Sequence, residues 1–308
     1  MIPLSQSHLT SLDTCPRKYQ HIFYDALSGP ASYEQQTTTQ WGSQFHLLMQ
    51  QQALDLPVDI LAAADDEMSA SLAALKEAAP EVFAYLPEST AMPEIVSNLK
   101  DELDTVSHTF SQSEHRRTLS FNGYLLTAVY DLLVIAKGAP NKPKGQGKPK
   151  GQIFDWKTHQ QPPHKERLAQ DWQTRLYPYL LCETSQLDPQ DISMTYWFVR
   201  AGKAASSQPS FYTFQYGLAQ HDQTRKDLQR LTDALNEMRL SSYFPQVAIE
   251  KGRCDRCLFN VRCDRISSHE HHPHHLERNS TEQLNPSPSQ LLKTAQQITV
   301  DNVPEIPL

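Results

Sequence analysis

Apolar positions along the chain change period several times, and each change predicts an element. Leu119–Phe121 and Tyr124–Ile135 read as strands joined by Asn122-Gly123, a dipeptide suited to tight hairpin turns. Gly151 to Thr158 reads Gly-Gln-Ile-Phe-Asp-Trp-Lys-Thr, and its apolar, β-prone Ile153, Phe154 and Trp156 predict a buried strand. Ile192–Arg200 and Phe211–Tyr216 predict two more strands. Helical spacing governs the rest. Ser5 or Ser7 can cap a short first helix, and Pro16 can open a second whose Tyr19, Ile22 and Phe23 turn inward. A helix over about Thr39–Leu56 buries Phe45, Leu48, Met49 and Gln52 and carries His46 one position round. Residues 57–117 are Ala-rich, broken at Pro80, Pro87 and Pro93, and predict a helical insertion. Lys165–Thr184 and Leu218–Leu240 predict two further helices.

Two stretches have no apolar period. Residues 137–151 are rich in Lys, Gly and Pro and predict a flexible loop. Residues 267–308 are dominated by Ser, His, Pro, Gln and Asn and predict a disordered tail. The tail's His271, His272, His274 and His275 lack the preset geometry of a metal site. The organisation expected is therefore one large domain over 1–266 followed by that tail.

Composition narrows the setting. The 308 residues are 39% hydrophobic, enough for a substantial core. No run approaches a membrane span and no signal pattern opens the chain, so a cytoplasmic location is expected, with no membrane partner. There, the five cysteines are expected as thiols or metal ligands. A formal net charge of −7 argues against a general nucleic-acid binder but leaves room for a basic cleft.

The chemistry concentrates in a few places. Alternation along the Gly151–Thr158 strand puts Asp155 and Lys157 on one side, about 7 Å apart, and Phe154 and Trp156 on the other. A carboxylate and an ammonium on a core strand need a partner or a metal; taken alone, the pair reads first as a strand end with a solvated ion pair. Asp131 interrupts the apolar run Leu125–Ile135 and needs a strong partner there. Gln173 and Tyr177 stand at i and i+4 on one helix face. Cys15 falls at the break between the first two helices, and Cys254, Cys257 and Cys263 follow in Cys-x₂-Cys-x₅-Cys spacing. Cys182, beside Leu180 and Leu181, reads as a core thiol.

Gly42-x-x-x-His46, Asp131, Asp155-x-Lys157 and Gln173-x-x-x-Tyr177, in that order, resemble the PD-(D/E)xK nuclease superfamily, in particular its RecB-like branch. Cys-Pro-Arg-Lys-Tyr at Cys15 and the C-terminal cysteines resemble the iron–sulfur site found in AddB-type helicase-nucleases and CRISPR-associated RecB-like nucleases. The resemblance spans about Leu4–Ile266. It implies an α/β, restriction-endonuclease-like mixed sheet flanked by helices, with a helical insertion and a C-terminal iron–sulfur clasp over 250–266. It implies a divalent-metal-dependent deoxyribonuclease, an exonuclease or end-processing enzyme of repair or recombination acting on single-stranded DNA or duplex ends. His46, Asp131 and Asp155 would hold Mg²⁺ or Mn²⁺, Lys157 would act on water or phosphate, and Gln173 and Tyr177 would line the cleft. Cys15, Cys254, Cys257 and Cys263 would hold a [4Fe–4S] cluster, with a Cys₄ zinc site as the rival. The chain departs from the family at Ala128, where Gly is common, and at Leu132, where a basic residue is usual. No Gly-x₄-Gly-Lys-Ser/Thr loop is present, so a helicase would be a separate partner chain. A non-catalytic DNA-binding or scaffolding subunit and a CRISPR-adaptation nuclease are the alternatives.

Overall fold

The computed structural model describes residues 1–27, 33–56, 58, 65–84, 86, 110–136, 148–158, 162–199 and 209–265. The chain divides into two units, Met1–Ile266 and Ser267–Leu308, and every described residue belongs to the first. The tail expected over 267–308 and most of the loop expected over 137–151 thus lie outside the described residues. No helix among the described residues is long and apolar enough to cross a membrane.

One six-stranded mixed sheet organises the domain: β1 (Ile2–Leu4), β2 (Phe110–Phe121), β3 (Tyr124–Ala136), β4 (Lys150–Lys157), β5 (Ile192–Phe198) and β6 (Ser210–Gln215). Its path runs β1-β3-β4-β5-β6, with β2 paired to β3. The β2–β3 hairpin turns at Asn122 (φ +45°) and Gly123 (φ +84°), the positive angles that the Asn-Gly pair tolerates. Its register runs from Phe121↔Tyr124 to Phe110↔Ile135, so β2 occupies one edge of β3 throughout. β1 pairs with Tyr124–Leu126 and β4 with Leu132–Ala136, and both must therefore lie along the other edge. Between them, Thr127–Asp131 has no strand partner on that edge among the described residues. This gap positions the site.

Around the sheet lie α1 (Gln6–Thr14), α2 (Pro16–Tyr19), a π-helical turn (Gln20–Tyr24), α3 (Tyr33–Ala53), α4 (Asp66–Ala78) and α5 (Pro80–Phe83). The series ends with α6 (Lys165–Gln170), α7 (Trp172–Glu183) and α8 (Leu218–Ser241). Ser5 is the N-cap of α1, its backbone N–H donating to His8 Nδ1 at 3.2 Å. Asp65 caps α4, accepting from the Met68 N–H at 3.1 Å. The sheet separates two apolar layers. One gathers Leu4, Leu9, Tyr130, Ile153, Leu176 and Tyr196, and the other Trp41, Phe45, Leu72, Phe154, Trp156 and Trp197. Phe154 and Trp156 thus face away from Ile153, as strand alternation requires.

Two expectations need correction. The helical stretch expected to reach residue 117 instead gives way to strand at Phe110. Ser111, Gln112 and Ser113 carry little local preference, and eleven cross-strand partners on β3 decide the outcome. The single helix expected over Lys165–Thr184 breaks at Asp171, whose backbone is extended (φ −66°, ψ +143°). The break lets Asp171 serve as N-cap of α7.

Candidate active site

The β2–β3 ladder skips one position: Ser113 pairs with Leu132 and His115 with Tyr130, leaving Glu114 and Asp131 opposite each other without the ladder contact. Glu114 adopts φ +50°, a left-handed conformation that costs a non-glycine residue about 1–2 kcal/mol. Residues two apart on a regular strand share a face, yet Tyr130 and Leu132 pack into opposite layers. The hairpin therefore kinks at Glu114 and Asp131. Side chains stand in for the lost backbone bonds: Ser113 Oγ donates to the Asp131 carbonyl at 2.8 Å, and the Trp156 N–H donates to Asp131 Oδ2 at 2.7 Å. Asp131 is thereby fixed at the gap where β4 leaves β3.

His46 reaches this point from α3. Gly42, one turn earlier, lies so close to the end of β4 that a Cβ there would stand 2.8 Å from Thr158 Oγ1. That close approach explains glycine four residues before the histidine. His46 Nδ1 lies 3.3 Å from Asp131 Oδ2. His46, Glu114 and Asp131 bring ligand atoms within 4.8 Å of one another, at the floor of an open cleft of about 700 Å³. Burial alone would lower the His46 pKa, but the hydrogen bond and charge of Asp131, with Asp155 and Glu114 beyond, raise it. Burial, then the charge of Asp155, holds the Asp131 carboxyl above its usual range, against the pull of His46 and the Trp156 N–H. Glu114 is raised in the same way by burial and by Asp131.

Asp155, Lys157 and Gln173 form a closed ring on the neighbouring strand and helix. Asp155 is buried; its Oδ1 lies 2.6 Å from Lys157 Nζ, and its Oδ2 accepts a hydrogen bond from Gln173 Nε2. Gln173 Oε1 in turn accepts from Lys157 Nζ at 2.8 Å. The amide thus orients both charged groups. Lys157 also stands over the Tyr196 ring, 5.2 Å from its centroid. Tyr177, one turn beyond Gln173, lines the cleft with His46 and Asp131. Burial first, then the charges of Asp155 and Asp131, raises its pKa despite hydrogen bonds with the Val129 backbone and Gln173.

Residues 3–264 match the PD-(D/E)XK nuclease superfamily as a whole. The chain belongs to that superfamily. A solved structure from Eubacterium rectale named "Putative exonuclease" is similar at 9% identity and a TM-score of 0.35, over 96% of this chain and 93% of that one. No curated protein matches. The mixed sheet flanked by helices is consistent with that superfamily. Of the two departures, Leu132 is buried in the apolar layer and Ala128 is buried in the other.

A second group lies apart. Cys15, in extended backbone between α1 and α2, lines a cavity of about 70 Å³ with Cys254, Cys257 and Cys263. The last three stand on consecutive turns, with the Cys257 N–H donating to the Cys254 carbonyl at 3.0 Å. Lys18, Arg253, Arg256 and Arg265 surround the thiols. His21 Nε2 lies 3.8 Å from Cys263 Sγ, and its Nδ1 lies 2.9 Å from Asp25. Cys182 is elsewhere, on α7, with its thiol toward the Leu187 carbonyl.

Glu114 is the member of the site that sequence reasoning missed. The signal was present: Glu114 stands as many residues before Asn122 as Asp131 stands after Gly123. A hairpin centred on that turn places them face to face.

Proposed function

We propose that the protein is a divalent-metal-dependent deoxyribonuclease, an exonuclease or end-processing enzyme of DNA repair or recombination. The observation that carries this reading is the joining of two side-chain sets, His46–Glu114–Asp131 and Asp155–Lys157–Gln173, through the Asp131 bond to the Trp156 N–H. Imidazole and carboxylates suit Mg²⁺ or Mn²⁺, with His46 favouring the latter. His46, Asp131 and Asp155 would hold the ion. When bound, such a cation supplies charge to neutralise a phosphodiester and acidity to activate water. Lys157, oriented by Gln173, meets the charge that develops on phosphate or takes up the proton of the attacking water. Tyr177 and the polar α3 face, with Thr39, Ser43 and Gln50, border the DNA strand.

The cysteine group fits a [4Fe–4S] cluster with a structural role. Four thiols share one cavity, and the four cationic side chains around it suit an anionic cluster. A Cys₄ zinc site is the rival occupant of the same four thiols. A separate helicase is the partner that suits an end-processing nuclease.

Digestion of end-labelled single- and double-stranded DNA by anaerobically purified protein tests the function. Cleavage that starts at ends and needs Mg²⁺ or Mn²⁺ is the expected result. Binding without cleavage would leave a scaffolding subunit instead.

A further inference from the structure

We propose that Glu114 is a direct ligand of the divalent cation, completing with His46 and Asp131 a shell to which Asp155 adds its carboxylate from the neighbouring strand. The proposal rests on the nuclease reading above and extends it to a residue outside the Asp131, Asp155-x-Lys157 order. Its first support is geometric. The ligand atoms of His46, Glu114 and Asp131 all lie within 4.8 Å of one another and share one open cleft.

The second support is the contrast with Asp155. Lys157 and Gln173 already meet that carboxylate. Among the described residues no lysine or arginine pairs with Glu114 or Asp131, and His46 is the basic group beside them. Two half-buried carboxylates facing each other repel unless a charge is placed between them. A hard divalent cation supplies that charge and takes several oxygen ligands, leaving room for water and phosphate on the cleft side. The hairpin register sets Glu114 and Asp131 opposite each other, and the ladder opens at this pair, where Glu114 adopts φ +50°.

The test uses the intact chain without DNA and Mn²⁺ alone as probe, with free Mn²⁺ read by electron paramagnetic resonance. Glu114→Gln keeps the shape and removes the charge. It should weaken Mn²⁺ binding by about tenfold or more, a loss of the size seen when a metal site loses one supporting partner. The metal-free melting temperature of the same variant should hold or rise, because a like-charge contact disappears. Glu114→Asp, which keeps the charge but shortens its reach, should also lose affinity. Asp131→Asn separates the two readings. If Asp131→Asn loses Mn²⁺ while Glu114→Gln binds it within about twofold of the parent, the Glu114 proposal falls and the nuclease site stands. If the parent itself binds no Mn²⁺, both fall. A lower metal-free melting temperature in Glu114→Gln with unchanged Mn²⁺ affinity would make Glu114 structural and overturn the proposal.

Discussion

The carboxylate centre and the cysteine pocket are built in opposite ways. Asp131, Asp155 and Lys157 stand on adjoining strands near the middle of the chain, and sheet register fixes their spacing. Cys15 and the three C-terminal cysteines stand on helix breaks and turns at the two ends of the domain. The first group is held by what surrounds it; under the proposed cluster reading, the second would hold its surroundings together. Losing a side chain from the strands should therefore cost chemistry, and losing one from the pocket should cost stability.

The sharpest way to break that contrast is Lys157→Ala. Cleavage should fall by about two to four orders of magnitude, the range for a removed acid–base group, with DNA and Mn²⁺ binding largely kept. Asp155→Ala should lose cleavage and Mn²⁺ affinity together. Single-turnover cleavage beside Mn²⁺ titration measures both, and full activity in either variant would remove the central assignment.

The cysteine arm should answer in stability. The intact protein should be brown, with about four irons per chain. A link closing so long a loop is worth on the order of 5 kcal/mol by chain entropy, and Cys15→Ala should lose much of it. Adding Cys254→Ala should then cost little more, because the link is already gone. Cys182→Ala should keep the colour. Additive losses from Cys15 and Cys254 in denaturant titrations would mean that the two share no metal, and colourless protein with stoichiometric zinc would hand the site to zinc.

Changing pH should separate the two regions again. The pKa of His46 is raised above its ordinary 6.5, where burial is outweighed by Asp131; those of Asp131 and Glu114 are raised by burial first, then by the charge of Asp155 on Asp131 and of Asp131 on Glu114. A folded state with raised pKa values binds more protons than the unfolded chain. Stability from His46 is complete below 6.5 and lost as pH rises through its folded value; ionising the two acids costs stability in the same direction. Metal-free stability should therefore fall with rising pH, while Mn²⁺ affinity, which competes with those protons, should rise. Parallel slopes in melting temperature with and without Mn²⁺ would contradict the coupling.

The smallest effect concerns the contact that aims His46. Gly42→Ala forces the Thr158 hydroxyl to move and should weaken Mn²⁺ binding a few-fold, less than a ligand loss. Thr158→Ala removes that hydroxyl, so the double variant should recover affinity. Equal affinities for the single and double variants would show that the contact does not position the helix.

Much of this was legible in the sequence. The Asn122-Gly123 turn fixed the hairpin register, and alternation through Ile153, Phe154, Asp155, Trp156 and Lys157 assigned each side chain to a face. Pro16 marked the break that exposes Cys15. These are local matters of backbone angle and side-chain period, which neighbours along the chain dictate. Tertiary structure decided the rest. Residues 110–117 became strand only because β3 lies beside them. Gln173 took its double role between Asp155 and Lys157 only because α7 crosses β4 there. Glu114, set opposite Asp131 by the hairpin register, meets His46 only because α3 packs against β2. Period tells a side chain which face to take; which strand lies alongside depends on contacts far apart in sequence, and no local pattern encodes them.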